Sequence, residues 1–442
     1  MCAIDRASGR FFMGHCMAAN SADGIGNNAK DPARRQFIRH SGAMTASALM
    51  GAVASGVRSG AWAAGTDAPE ITELRVGFMP LTDCASIAVA AEQGFDSKHG
   101  IRIVPVKKTS WAAMRDGLLG GELHAAHVLY GLVYGVQTGI GGLQRDMSVL
   151  MTLNRNGQGI VLSKRLREAG VTDGDSLREL IARGERDYAF AQTFPTGTHA
   201  MWLYYWLAAN GIHPLRDVSS ITVRPPQMVA HLRTGNIDGC CVGEPWSAQA
   251  VRDGAGCMVA RSQDVWPDHP EKVLGATAEF AERHPNAARA LIMALLEASR
   301  FIDTASNRPA VARLIAGEKY VGADLDVIEP HFLGHYSDGL GRRWTDATAV
   351  KFFDDGAVNF PYLSDGIWFL TQLYRWGMLR QAPDYAALAN KVNRVELYAQ
   401  AAQALGVSLP SQPNRSSTLM DGRVWDAGSP ARYGGSFEMA AA

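Results

Sequence analysis

The sequence has no excess of charge of either sign, because 43 lysine and arginine residues are matched by 43 aspartate and glutamate residues. Such a balance excludes the strongly basic proteins that bind nucleic acid and the acidic chains that stay disordered. Beyond the N-terminal region, no run approaches the roughly 18 consecutive apolar residues of a transmembrane helix. We therefore expect a soluble mature chain that has no nucleic-acid partner.

Cysteine is also scarce. Two of the six cysteines lie within the first 16 residues, and the others are Cys84, Cys240, Cys241 and Cys257. Neighbouring residues of a strand point to opposite faces, so Cys240 and Cys241 are poorly placed to form a disulfide with each other. We interpret the four as small buried apolar residues. No spacing of cysteine or histidine matches a zinc or iron–sulfur site, so no metal ion is expected.

The N-terminal region carries a targeting pattern. Arg34 and Arg35 precede a weakly apolar segment rich in alanine and glycine, which ends in the small-x-small sequence AWA at Ala63. This pattern resembles a twin-arginine export signal, and an ordinary amphipathic helix is the alternative. We predict a leader and signal peptide over residues 1–63. The mature protein is then expected in the periplasm.

Two similar groups of strands and helices follow. The segments ELRVGFM, IRIVPVK and LHAAHVLYG are predicted strands, separated by the predicted helices ASIAVAAEQGFDSKHG and WAAMRDGLLGG. The same order returns in DYAFAQT, the helix that contains His199, SITVRPP, QMVAHLRTG and IDGCCVG. Each group is a βαβαβ unit, which predicts a parallel sheet. The sequence therefore predicts an α/β fold with two lobes.

The predicted domain boundaries follow from this repetition. Lobe I covers residues 66–160, lobe II covers 161–270, and residues 271–407 return to lobe I through long helices. Residues 408–442, rich in proline, serine and glycine, are expected to form an extended tail on the surface. The segment SVLMTLNRNGQGIVLSK is predicted to cross between the lobes, with Gln158 in a polar loop. Twinned α/β lobes after an export signal are typical of hinged binding proteins, whose ligand lies between the lobes.

Three predicted helix starts lie at this cleft. Trp111 begins a helix after a strand, Thr198 is the predicted N-cap of the helix that contains His199, and Gly243 stands before a helix opened by Pro245. Free backbone N–H groups at a helix start favour anions, whereas a protonated histidine there is disfavoured. These segments therefore indicate an anion-binding cleft.

Five runs carry a specific resemblance: SWAAMRDGLLGGELHAAHV, LNRNGQGI, TFPTGTHAMWLYYWLAANGIHP, VGEPWSAQ and DHPEKVLG. Through them the mature chain resembles the nitrate/bicarbonate-binding proteins of ABC importers, within the type II periplasmic binding proteins. The resemblance implies a periplasmic solute-binding protein that captures nitrate, and nitrite as well. It also implies delivery to an ABC permease with its ATPase subunits, no cofactor and no catalysis. We expect a monomer.

The resemblance further implies which residues bind the anion. Nitrate-binding members use a tryptophan, a glutamine, a histidine, a glycine and a lysine, all of which offer hydrogen-bond donors. Carried over to this sequence, these residues are Trp111, Gln158, His199, Gly243 and Lys272. Bicarbonate-binding members carry an acidic residue in the region of Lys272 and use calcium, so the lysine favours nitrate without a metal ion. Glu244 is expected behind these residues, capping its helix and pairing with Lys272.

Other functions remain open. A protein that binds bicarbonate or another small anion is the first alternative, and a nitrate-responsive sensor is the second, although the export signal disfavours a cytoplasmic sensor. An enzyme would need a nucleophile, and His199 with Cys240 and Cys241 has no clear third member for a Cys–His site.

Overall fold

The computed structural model describes residues 67–346 and 349–441, and all of them fall in the unit Val57–Ala442. The predicted leader and export signal lie outside the described residues. The strands that the structure describes are, in chain order, β1 (Glu73–Phe78), β2 (Arg102–Lys107), β3 (Ala125–Leu129), β4 (Met147–Thr152), β5 (Gln158–Ser163), β6 (Ala189–Gln192), β7 (Ser219–Thr222), β8 (Gly239–Gly243), β9 (Gly256–Arg261), β10 (Lys272–Thr277), β11 (His335–Ser337), β12 (Arg343–Thr345), β13 (Ser417–Thr418) and β14 (Val424–Trp425).

Ten of these strands form two five-stranded sheets with the same topology. The first sheet has the order β2-β1-β3-β10-β4 and the second has the order β7-β6-β8-β5-β9. Both are mixed rather than purely parallel as predicted, because β10 is antiparallel to β3 and β4, and β5 is antiparallel to β8 and β9. Each antiparallel strand is the one that arrives from the other lobe. The remaining pairs, β1 with β2 and β3, and β6 with β7 and β8, are parallel.

Helices connect and cover the sheets. None among the described residues is long and apolar enough to cross a membrane. The fifth to tenth helices in chain order lie in the segment of the chain that forms the second sheet. In chain order the helices are α1 (Ala85–Glu92), α2 (Phe95–Lys98), α3 (Trp111–Leu119), α4 (Tyr130–Gln137), α5 (Lys164–Glu168), α6 (Gly174–Ala182), α7 (Thr198–Ala209), α8 (Pro225–Thr234), α9 (Trp246–Arg252), α10 (Ser262–Val265), α11 (Ala278–Arg283), α12 (Pro285–Asp303), α13 (Arg308–Ala316), α14 (Leu325–Phe332), α15 (Leu363–Arg375), α16 (Tyr385–Val392), α17 (Val395–Ala404) and α18 (Pro430–Gly434).

The chain crosses between the lobes from β4 to β5. Gln158 is the first residue of β5, in the second sheet, so the crossing precedes it and lies slightly before the predicted boundary at residue 160. Gln158 does not lie in a polar loop as predicted. It is buried because it pairs with Gly243 of β8 in antiparallel register. The chain returns to the first sheet at β10, whose first residue is Lys272.

The helix α7 is apolar all round because it lies between the second sheet and a group of aromatic side chains. The Trp202 ring centroid is 5.8 Å from that of Trp266 and 5.0 Å from that of Trp368, which belongs to α15. The N-cap is Gly197 and not Thr198, which is the first residue of the helix. Thr198 lies inside the first turn, and its hydroxyl donates to a carboxylate of the site described below.

The segment after residue 408 packs against helices of both lobes. The indole N–H of Trp425 donates to the Ser364 carbonyl of α15 over 3.0 Å, and Trp425 is buried. Tyr205 of α7 donates its hydroxyl hydrogen to Asp421 over 2.9 Å. These hydrogen bonds attach the C-terminal segment to α15 and α7, and Trp425 anchors it in the interior.

The two lobes meet in direct contact beside the cleft. A Cβ atom at Gly131 in α4 would lie 2.1 Å from the carbonyl oxygen of Thr196, in the loop between β6 and α7. Only glycine allows so close an approach of two backbones. On the other side of the cleft, the backbone N–H of Thr82 donates to the Glu244 carbonyl over 2.8 Å. These contacts hold the lobes together around the residues predicted to bind the ligand.

Candidate functional site

The five residues implied by the resemblance lie at the facing edges of the two sheets. Gln158 and Gly243 are register partners at the ends of β5 and β8. A Cβ atom at Gly243 would lie 3.4 Å from Nε2 of His199, which is the second residue of α7. On the side of the first lobe, Nζ of Lys272 lies 5.6 Å from the ring centroid of Trp111, the first residue of α3. The structure thus brings all five residues to one place.

Lys272 is held by two carboxylates. Its Nζ lies 2.7 Å from Oδ2 of Asp83 and also donates to Glu271, and all three side chains are buried. Asp83 in turn lies 2.7 Å from Nε2 of His127. Burial opposes the charged form of the lysine, but the two carboxylates outweigh it and raise the pKa of Lys272. Burial likewise opposes ionisation of Asp83, and Lys272 with His127 reverses this and lowers its pKa.

Glu271 connects the two lobes through its hydrogen bonds. Its Oε1 accepts from the Thr198 hydroxyl over 2.5 Å and from the amide N–H of Gln158, while its Oε2 accepts from Lys272. Burial raises the pKa of Glu271 to about 7, and the negative charge of Asp83 acts in the same direction, although Lys272 opposes it. This carboxylate therefore engages three donors, and two of them, on Gln158 and Lys272, belong to residues that the resemblance implies bind the anion.

Two of the five residues carry a buried polar atom that has no hydrogen-bond partner in the part of the chain that the structure describes. Among the described residues, nothing accepts a hydrogen bond from Nε1 of Trp111 or pairs with Nε2 of His199, and both side chains are buried. Nδ1 of His199 lies 2.7 Å from the hydroxyl oxygen of Thr193. Burial, together with the charge of Lys272, holds the pKa of His199 well below its ordinary value, so the ring is neutral. A buried polar group without a partner costs about 1–3 kcal/mol, and a ligand that accepts from it removes that cost.

Glu244 does not pair with Lys272, contrary to the prediction. Its carboxylate accepts from the backbone N–H of Ala248 over 3.1 Å and from the Ser247 hydroxyl, both at the start of α9. It also lies 2.9 Å from Nδ1 of His331. Lys272 is unavailable to Glu244 because its ammonium group is taken up by the two carboxylates described above.

Sequence reasoning missed the carboxylates of the site. Glu271 stands directly before Lys272 in the run DHPEKVLG, and this adjacency was the available signal. Asp83 follows the first strand, at the same sheet edge as Trp111. The expectation that donors alone hold the anion leaves no place for acidic residues. It is corrected by the observation that the charge of Lys272 is balanced within the protein.

The site does not resemble a metal centre or a cysteine nucleophile. The described ranges contain no group of three or more histidine, cysteine, aspartate or glutamate residues that could hold a metal ion. The four cysteines there are free and buried, which confirms their interpretation as small apolar residues. Burial raises the pKa of the Cys240 thiol to about 12 and raises that of Cys241 well above its ordinary value. Neither thiol is poised to act as a nucleophile.

Comparison with known proteins agrees with this geometry. The model of the NMT1-like family matches residues 67–316. Over 383 residues the chain is 38% identical to the nitrate/nitrite binding protein NrtA of Synechocystis, an alignment that covers 84% of this chain and 85% of that protein. The chain belongs to the NMT1-like family and is homologous to NrtA.

The fold of this NrtA homologue matches as well. The crystal structure of the periplasmic nitrate-binding protein NrtA from Synechocystis superposes with a TM-score of 0.81 at 37% identity, covering 84% of this chain and 100% of that chain. The predicted two-lobed periplasmic binding protein fold is therefore confirmed. The bicarbonate-binding protein CmpA of Synechococcus is also homologous, at 30% identity over 394 residues, 84% of this chain and 88% of that protein. CmpA is thus a more distant relative than NrtA.

Proposed function

We propose that this protein is the solute-binding component of an ABC importer, that it captures nitrate and also nitrite, and that it delivers the anion to a permease with its ATPase subunits. The observation that carries the proposal is that two residues near Lys272, Trp111 and His199, each keep a buried polar atom, Nε1 and Nε2 respectively, without a partner among the described residues. Homology to NrtA supports the choice of nitrate over bicarbonate.

Nitrate fits the donors on chemical grounds. It is a planar monoanion whose oxygens only accept hydrogen bonds. When the Thr193 hydroxyl donates to Nδ1, the neutral His199 ring carries its proton on Nε2, toward Gly243. Hydrogen bonds to a charged group contribute about 1.5–3 kcal/mol each. A ceiling of about 1.5 kcal/mol for each of the ligand's heavy atoms gives a dissociation constant of tens of micromolar. Enclosure of a full charge strengthens binding further, so we expect a micromolar dissociation constant.

We also propose where the protein is located and in which oligomeric state it acts. Arg34, Arg35 and the AWA sequence that ends at Ala63 support export by the twin-arginine pathway, and the homologous NrtA is described as periplasmic. The homologous NrtA is a binding protein, which supports a binding protein without catalytic activity, and the raised pKa of the Cys240 and Cys241 thiols argues against a cysteine nucleophile. We further propose that the mature protein is a monomer that binds nitrate without a metal ion.

Isothermal titration calorimetry tests the function directly. The purified protein is titrated with nitrate in chelator-treated buffer, then with bicarbonate in the presence and absence of calcium. Micromolar nitrate binding without a metal ion is the expected result. Calcium-dependent bicarbonate binding with no heat from nitrate would replace this proposal by the bicarbonate alternative. If no small anion binds, the protein belongs to another branch of the family.

A further inference from the structure

Glu271 engages the donors that an anion in this site needs. Its carboxylate accepts hydrogen bonds from Gln158, Thr198 and Lys272, and its side chain is fully buried. Gln158 and Lys272 are two of the five residues implied to hold the ligand. An ionised Glu271 therefore competes with the anion for the same N–H groups from a fixed position inside the pocket.

The charge of the site gives a second and independent reason to assign Glu271 a part in anion binding. Lys272 of β10 and Asp83, after β1, are the charged groups that act most strongly on Glu271, and they contribute one positive and one further negative charge. The other titratable groups of this cluster are Cys241 of β8, whose pKa Glu271 affects, and three histidines whose pKa values Lys272 affects: His127 of β3, His199 of α7 and His269 of the loop before β10.

These four groups are uncharged. Burial lowers the pKa of all three histidines and raises that of the Cys241 thiol. With both carboxylates ionised, the pocket therefore carries one net negative charge. A bound monoanion would add another charge without a counter-ion, and burial of an unpaired charge is strongly disfavoured.

We propose that Glu271 is a further ligand-binding residue, which takes up one proton when the anion binds and then donates a hydrogen bond to the anion as a neutral carboxylic acid. The proton comes from solvent, and no covalent bond of the ligand changes. Loss of the negative charge frees the N–H groups of Gln158 and Lys272 to turn to the ligand. This inference rests on the proposed anion-binding function and adds that the anion is captured together with one proton.

The coupling predicts a pH dependence of affinity. Burial places the pKa of Glu271 at about 7. Below that pH the carboxyl group already holds its proton, and binding takes none from solvent. Above it, each anion bound takes up one proton, so the dissociation constant rises about tenfold for each pH unit. The affinity should therefore be constant at low pH and fall between about pH 7 and pH 9.

Calorimetry of the full chain with sodium nitrate measures the proton directly. Titrations at pH 6 and pH 8 are run in pairs of buffers that differ in ionisation enthalpy, because the difference in heat gives the number of protons taken up. We expect none at pH 6 and about one per nitrate at pH 8. In Glu271→Gln we expect no proton uptake, and at pH 8 a dissociation constant lower than that of the wild type.

A matched control variant separates a specific effect of Glu271 from a general loss of a carboxylate. Glu279→Gln removes an exposed carboxylate that pairs with Arg283, and it should keep the proton uptake of the wild type. Nitrate binding without proton uptake at pH 8 would overturn the inference, and this measurement needs no variant. Proton uptake that persists in folded Glu271→Gln would assign the proton to another group and would also overturn it. Absence of nitrate binding at both pH values would instead refute the proposed function.

Discussion

Nζ of Lys272 lies 2.7 Å from Oδ2 of Asp83, although the two residues are 189 positions apart in the sequence. Both side chains are buried, and Glu271 contacts the same ammonium group. The lysine is therefore part of the internal charge balance of the fold as well as a candidate ligand of the anion. Its substitution should affect stability and binding together.

Replacement of Lys272 by methionine leaves two carboxylates without a cation in the protein interior. Removal of one partner of a buried ion pair costs about 3–5 kcal/mol, so the free energy of unfolding should fall by that amount at pH 8. Nitrate binding should be lost. Urea denaturation and calorimetry measure the two effects. Lys391→Met is the control, because Lys391 and Asp146 are each 53% exposed and such a pair contributes about 0–1 kcal/mol. Equal destabilisation in both variants would contradict the prediction.

Replacement of Trp111 by phenylalanine removes an indole N–H that has no hydrogen-bond partner among the described residues. Because no internal hydrogen bond is lost, the melting temperature should stay close to that of the wild type. The nitrate affinity should fall about 10- to 150-fold, which corresponds to one hydrogen bond to a charged group. Trp376→Phe is the matched control, since Trp376 is also buried with an unpartnered indole N–H. If Trp111→Phe binds nitrate as tightly as this control does, the assignment of Trp111 is wrong.

Replacement of Gly131 by alanine should separate the lobes. The added methyl group would lie 2.1 Å from the Thr196 carbonyl oxygen, and relief of such overpacking typically costs about 1–3 kcal/mol. We expect nitrate affinity to fall about tenfold or more. The radius of gyration, measured by small-angle scattering in saturating nitrate, should increase. Gly142→Ala serves as the control because a Cβ atom there meets nothing within 4 Å. An unchanged radius and affinity in Gly131→Ala would contradict the prediction.

The stability of the protein without ligand should depend on pH through Glu271. Its pKa of about 7 in the folded state lies above its ordinary value of 4.5, so the folded state binds the proton more tightly than the unfolded state. This contribution is fully present below about pH 4.5 and is lost as the pH rises through about 7. The melting temperature of the wild type should therefore decline across this range by more than that of Glu271→Gln. Parallel melting curves for the two proteins would show that Glu271 does not titrate there.

The alternation of strands and helices was largely predictable because each element shows its own periodicity. The predicted strands ELRVGFM and IRIVPVK match β1 and β2 closely, and the helix that contains His199 lies where it was expected. The antiparallel strands were not predicted, since their direction depends on which lobe the chain arrives from. Gln158 illustrates this point, because its flanking glycine and asparagine suggested a loop and only its pairing with Gly243 places it in a strand.

The site was predictable only in part. The resemblance identified five residues that the structure brings together, but their charge partners could not be read from local sequence. The contact between Lys272 and Asp83 depends on the order of the first sheet, in which only β3 separates β10 from β1. The predicted pair of Glu244 and Lys272 was wrong for the same reason, because His331, from a distant helix, takes that position.

The burial of the site affects how long an anion stays bound. Trp111 is 1% exposed, and His199 and Lys272 are 0% exposed, so an anion among them has no direct route to solvent. We expect its departure to require separation of the lobes at contacts such as that between Gly131 and Thr196. The residence time of the anion is then governed by backbone contacts that never touch it. In the proposed function, the rate of handover to a permease then depends on the junction between the lobes, and we expect substitutions there to alter it without altering the chemistry of recognition.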